Sequence, residues 1–257
     1  RLEGHFLEEV LRGEFKKEQD ILRRGLFLHV DLSDAYHIIT LQYKLNDCDI
    51  QKDLYYLEKV LEATTNYFKR SQDRILIGHK DKNIVFLVPE SEISSNEIKS
   101  FFNQYLRFMS ETFSSTLFFI GVSRKSQSIL DARERYEESL IALRMATPNK
   151  RIIFFDSIGI VGPLINNNNE KEVKKISRHM LGNVLNDDDL LETLYAYLSN
   201  GGNLELTSQE IALSLSGLRY RLRKIEDILG KDIKDPIYSY QLLLAIQSLL
   251  VLGEIEI

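Results

Sequence analysis

The apolar positions of the chain change period several times, and each change predicts an element. Between Phe6 and Arg24, Phe6, Leu7, Val10 and Leu11 recur at helical spacing. Gly13 interrupts that run, and a second helix carries Phe15, Ile21 and Leu22 until Gly25 stops it. Leu26–Val30 is a short apolar run that periodicity assigns to neither state, and Asp31–Asp34 is a polar turn. Ala35–Tyr43 is β-branched and aromatic, hence a strand. Lys52–Lys69 is helical, with Leu54, Leu57, Leu61 and Phe68 close to one face. Two short strands, Arg74–Ile77 and Ile84–Val88, are joined by the six polar or small residues from Gly78 to Asn83 and closed by Pro89. Ser94 or Ser95 caps a helix running to about Phe113. Thr116–Val122 is a buried strand, and Ser128–Ala146 is a helix striped by Ile129, Ala132, Tyr136, Leu140 and Leu143. Pro148-Asn149 turns the chain into a last strand, Arg151–Phe155.

The order from Ala35 to Phe155 is therefore β-α-β-β-α-β-α-β, a sheet with helices packed on it around an antiparallel central hairpin. Asn166–Asn169 is a polar break and the best linker candidate. After it the pattern is helical throughout: Leu190–Leu198, stopped by Asn200-Gly201-Gly202; Thr207–Leu213; Ser214 or Ser216 to Leu229, stopped by Gly230; and a helix from Pro236 to about Leu252. The fold class expected is α/β (α+β), a sandwich domain followed by an all-α domain. No repeat of solenoid period is present.

Composition adds bounds. The chain has 257 residues, which suits one large or two ordinary domains at about 150 residues each. Apolar residues make up 44% and charged residues 28%, enough apolar surface for a core. No apolar run reaches the roughly 18 residues of a membrane span. Cys48 is alone and makes no internal disulfide, and the chain shows no basic-then-apolar leader, so a reducing, cytoplasmic location is expected and no membrane partner. A chain opening at Arg1 rather than Met is expected to be a trimmed piece, with any sensor domain upstream of it.

The net charge of −5 argues against a generic nucleic-acid binder. Residues 1–184 hold 27 basic and 26 acidic residues, whereas residues 185–257 hold 6 and 12. Yet Arg219, Arg221, Arg223 and Lys224 lie close together with no acid between Ser214 and Ile225. Because salt screens beyond about 8 Å, the local field decides a contact.

In the helix holding these residues, Leu218, Leu222, Ile225 and Leu229 form the face to be buried, and Ser216, Arg219, Tyr220 and Arg223 an outward surface flanked by Arg221 and Lys224. A short helix, a turn and a longer helix fit a helix-turn-helix. Guanidinium forks match phosphate oxygens and the guanine edge in a major groove. The alternative is a solvated charged face, and Tyr220 either stacks on a base or closes the core edge.

The segment LLETLYAYLSNGGNLELTSQEIALSLSGLRYRLRKIEDILG resembles the C-terminal helix-turn-helix of the purine-catabolism and carbohydrate-diacid regulator family (PucR/CdaR-like). Leu191, Thr193, Leu194, Tyr197, Leu198 and Asn203 match the first half of its signature. Thr207, Ile211, Leu218, Tyr220, Arg221, Leu222, Lys224 and Ile225 match the second, without a gap. Ser208, Ser214, Ser216 and Gly217 stand where the family carries Ala, His, Asn and Thr, and Gly217 weakens the first helical turn by up to about 1 kcal/mol. The central region is similar to the family's degenerate GGDEF-like domain, with Gly121, Tyr136, Ala142 and Leu143 matching. The cyclase hairpin signature would fall at Lys80–Ile84, where neither its glycines nor its acid is present, and Gln42 stands where a metal-binding Asp belongs.

The resemblance implies four segments: a helical stretch over 1–30, the GGDEF-like domain over 31–165, a linker or connecting helix over 166–186, and the DNA-binding domain over 187–257. It implies a bacterial transcriptional regulator that inserts the Ser216–Lys224 face into an operator. Arg219 and Arg223 would touch bases or phosphates, and Arg221 and Lys224 would mainly anchor the DNA backbone. Thr207 and Ser208, opening the second helix, would donate to a phosphate, and Ser214 completes the set. The partners expected are double-stranded DNA, a second copy of the chain, and a small-molecule effector bound by a domain outside it. The rival readings are a cyclic-dinucleotide signalling domain and a protein-interaction module built on the Leu-rich C-terminal helices.

No catalytic residue, cofactor or metal is expected. His5, His29, His37, His79 and His179 show no metal-ligand spacing. Asp187–Asp189 read as the cap of a helix, and Glu137-Glu138 point in different directions from theirs. Phosphate-loop motifs are missing, and Ser126 and Ser128 lack a nucleophile-elbow context.

Overall fold

The structure is a computed structural model that describes residues 2–28, 30–45, 50–69, 74–165 and 169–257. It divides into two compact units, Arg1–Ile158 and Gly159–Ile257. Residues 166–168 of the linker candidate Asn166–Asn169, Cys48 and His29 lie outside the described residues.

In the first unit, α1 (Leu2–Arg12) and α2 (Glu18–Phe27) precede β1 (Tyr36–Leu45), α3 (Ile50–Phe68), β2 (Leu76–Lys80), β3 (Asn83–Pro89), α4 (Ile98–Thr112), β4 (Thr116–Val122), α5 (Ala132–Arg144) and β5 (Ile152–Phe154). The sheet order is β2-β3-β1-β4-β5; β1 runs antiparallel to β3 and β4, and β4 parallel to β5. The β-α-β-β-α-β-α-β order read from periodicity is the order found.

Side chains on a strand alternate between faces, and both faces are covered. Ile39 and Leu41 of β1, with Ile84, Phe86 and Val88 of β3, meet Leu57, Val60 and Phe68 of α3 and Phe102, Tyr105 and Met109 of α4. Tyr36, Ile38, Val85 and Leu87 meet Phe6, Leu7, Val10, Ile21 and Tyr136 on the other side. Burial on both faces explains why β3 reads as an unbroken apolar run from Ile84 to Val88. The stretch at 1–30 therefore supplies much of one core.

Two local expectations are corrected. The second helix does not stop at Gly25 but runs to Phe27, and Gly25 is buried inside it: a Cβ there would sit 2.9 Å from the Val30 carbonyl oxygen. The six-residue connection between β2 and β3 is a two-residue turn, because Gly78–Lys80 and Asn83 join the ladder and leave only Asp81, at φ 55°, and Lys82 outside it.

In the second unit, α6 (Val161–Leu164) and α7 (Glu170–Leu181) are followed by a 3-10 turn, Gly182–Asn186, then α8 (Asp188–Ser199), α9 (Leu204–Glu210), α10 (Leu215–Leu229) and α11 (Pro236–Val251). The stretch expected as a connector, 166–186, holds α7, which buries Ser177 and Leu181 and packs on α11. Leu190, Leu194, Leu218, Ile225, Ile233, Leu242, Ile246 and Leu249 are among the buried core of this unit.

Candidate nucleic-acid interface

Each helix around the basic cluster starts on a side chain that satisfies otherwise orphaned backbone N–H groups. Asp187 caps α8 by accepting from the Leu190 amide at 3.2 Å. Asn203 caps α9 by accepting from the amides of Glu205 and Leu206, both at 3.0 Å. Ser214 caps α10 by accepting from the Gly217 amide at 3.1 Å, with Ser216 Oγ 3.1 Å from its own hydroxyl. Gly230, at φ 66°, ends α10 in the left-handed conformation that glycine adopts freely. Between α9 and α10 the chain turns through Ala212 at φ 51°, while the Leu213 amide donates to the Ser208 carbonyl at 3.0 Å.

The α9 helix begins three residues before its expected start, at Leu204 rather than Thr207. That shift places Thr207 and Ser208 in mid-helix instead of at its opening. Thr207 is fully buried, and its hydroxyl donates to the Asn203 carbonyl at 2.6 Å. Ser208 is half-buried and donates to the Leu213 carbonyl at 2.6 Å, fastening the turn. Neither hydroxyl hydrogen is left for a phosphate.

On α10, Leu218, Leu222 and Ile225 are buried, as the stripe requires, with Leu229 half-buried beyond them. Ser214, Ser216, Arg219, Tyr220 and Arg223 are exposed, Tyr220 by 70%. Ser216, Arg219, Tyr220 and Arg223 share one helical face, and Asp227 continues that face one turn further on. The outward surface is thus basic into its third turn and acidic in its fourth.

The two flanking cations are held elsewhere. Arg221 Nη2 lies 3.0 Å from Asp189 Oδ2, and its Nη1 donates to the Asp189 carbonyl and to Thr193 Oγ1, each at 3.2 Å. Lys224 Nζ lies 3.1 Å from Asp187 Oδ2, the oxygen that the cap leaves over. The ammonium of Lys224, with the Leu190 amide, holds the Asp187 carboxyl below its ordinary range. Asp187 and Asp189 were legible as a capping run; their second role, across more than 30 residues of sequence, was not.

Elsewhere, no group of three His, Cys, Asp or Glu among the described residues could hold a metal ion. None of the described helices is long and apolar enough to cross a membrane.

Residues 190–248 match the family described as PucR C-terminal helix-turn-helix domain, and residues 12–145 match the GGDEF-like domain. The chain is 28% identical over 163 residues to the purine catabolism regulatory protein of Bacillus subtilis (strain 168), covering 61% of this chain and 30% of that protein. It is 24% identical over 219 residues to the uncharacterized protein YsfB of the same organism, covering 81% of this chain and 54% of that one. The chain thus spans about a third and about half of the length of these two relatives. A solved structure, the regulator of polyketide synthase expression from Bifidobacterium adolescentis, aligns over 96% of both chains at 16% identity with a TM-score of 0.36. With a GGDEF-like domain ahead of a PucR-type helix-turn-helix, the chain belongs to the PucR family of regulators.

Proposed function

We propose that the protein is a sequence-specific DNA-binding transcriptional regulator working in the cytoplasm, and that it enters the major groove with the first three turns of α10. The observation that carries this reading is the exposed set Ser214, Ser216, Arg219, Tyr220 and Arg223, presented by a capped helix whose opposite face is buried. Arg219 and Arg223, four residues apart, project to one side and are the groups that read base edges or clamp phosphates. Asp227 marks where the face turns away from the phosphates, so the helix enters by its N-terminal end, the usual docking of a recognition helix.

Two outward arginines neutralise few phosphates. Useful affinity then needs two copies on half-sites about one helical turn apart, roughly 34–36 Å. The homodimer is part of this proposal, as is an effector sensed outside the residues described. The GGDEF-like unit transmits that signal and performs no catalysis, since the hairpin turn Asp81-Lys82 offers no glycine and β1 presents Gln42 where a metal-binding acid belongs.

The test is capture of genomic fragments by the whole protein, footprinting of the captured site, and titration of salt. A protected site of two half-sites, with affinity falling steeply as salt rises, is the expected result. Fragments captured without sequence enrichment, or a footprint indifferent to salt, would overturn the reading.

A further inference from the structure

We infer that Asp187 and Asp189 are positioning residues that set the specificity of the DNA-binding face by withholding Arg221 and Lys224 from phosphates. The inference rests on the reading of α10 as the recognition helix. Four cations lie on that helix within six residues, yet only Arg219 and Arg223 are directed to solvent without an acid from α8. Arg221 is the more firmly held: its guanidinium has three acceptors on the first turns of α8, two of them on Asp189, and its side chain is only 23% exposed. Lys224 is half-exposed and has one acceptor, the Asp187 oxygen that the helix cap does not use.

The consequence follows from how charge enters DNA affinity. A cation that meets phosphate adds to binding at every sequence alike, whereas specificity comes from the difference between the right site and all others. Pairing two of four cations inside the protein lowers the sequence-blind part and leaves readout to the two arginines that remain. The acids also fix how α10 sits on α8, so the same contacts aim Arg219 and Arg223.

The experiment uses the whole chain with the substitutions Asp187→Asn, Asp189→Asn and both together. Asparagine caps a helix about as well as aspartate, so the start of α8 is kept. Binding to a random-sequence duplex and to the captured genomic fragment is followed against salt. The expected result is a log–log salt slope steeper by about 0.9 for each cation released, hence by one to two in the double variant. Binding to the random duplex should strengthen several-fold, more than binding to the genomic fragment. Lys224→Gln in the otherwise unchanged protein should leave the slope as it was, because a withheld cation contributes nothing to it.

Slopes unchanged in the Asn variants, or a slope shallower by about 0.9 in Lys224→Gln, overturn the inference while leaving the DNA reading intact. If the unaltered protein binds neither duplex at any salt concentration, the reading fails and the inference with it. Weaker binding to both duplexes at unchanged slope means that the acids are structural only, which also overturns it.

Discussion

Gly121 of β4 lies against the backbone of Ser139 on α5, so close that a Cβ at position 121 would sit 2.0 Å from the Ser139 carbonyl oxygen and 2.9 Å from the Leu143 amide nitrogen. Both neighbours are backbone atoms of one helix, and neither can rotate away. Thr40 of β1 meets the same turn of α5, its hydroxyl 2.6 Å from Ser139 Oγ. Replacing Gly121 by Ala should push α5 off the sheet and destabilise the GGDEF-like unit by about 3 kcal/mol or more, the upper end for overpacking. Chemical denaturation followed by tyrosine fluorescence would measure it, and a loss under 1 kcal/mol would contradict the packing described.

Arg219→Ala and Arg223→Ala should each weaken binding to the operator by about 1–3 kcal/mol where the side chain reads a base, and relax selection at the base pair concerned. Gel-shift titration against a panel of single-base variants of the footprinted site gives both quantities. A footprint left unchanged by both substitutions would remove these two arginines from the interface.

Ala212 holds φ 51° in the turn before α10, a conformation that costs an L side chain about 1–2 kcal/mol. Glycine removes that strain but gives up to about 1 kcal/mol back through the freedom it adds to the unfolded chain. Ala212→Gly is therefore expected to be neutral or stabilising by up to about 1 kcal/mol, and Ala212→Val clearly destabilising. Thermal unfolding should place Ala212→Gly at or above the parent and Ala212→Val below it; the reverse ranking would count against the turn.

His37 is buried on β1, with Nδ1 2.9 Å from the Ser123 carbonyl oxygen and Nε2 3.0 Å from Ser95 Oγ. Burial pushes its pKa below the ordinary 6.5; the Ser123 contact, Glu90 and Asp156 act against that push, and Lys125 adds to it. The unfolded chain thus takes up this proton first, and the GGDEF-like unit should lose stability as pH falls below about 6.5. Glu90 acts in a separate, more acid window. Burial raises it, but hydrogen bonds from Ser95 and the charges of Lys125 and His37 outweigh that and leave it lower than 4.5. Urea midpoints between pH 7.5 and 5.5 should drop for the parent and drop less for His37→Gln; parallel curves would exclude His37 as the source.

The succession of strands and helices along the chain and the helix-turn-helix were legible because each rests on local signals. β1 and β3 are β-branched runs, α10 ends at a glycine in the left-handed region, and the Leu218–Leu222–Ile225 stripe has only one way to be buried. What periodicity could not supply is where a polar group sends its hydrogen. Thr207 looked like a phosphate donor from its hydroxyl alone, but an α9 that starts at Leu204, capped by Asn203, turns it into the core. Arg221 and Lys224 looked like anchors because their partners on α8 are remote in sequence. Gly25 looked like a stop because glycine ends helices, whereas here it admits the Val30 carbonyl.

The sign reversal along the outward face of α10, from Arg219 and Arg223 to Asp227, gives that helix a heading. A uniformly basic rod could lie in a groove facing either way. On the docking proposed for it, this one would be drawn in at its leading end and pushed away at its trailing end, so charge selects which end of the helix enters the groove before any base pair is inspected.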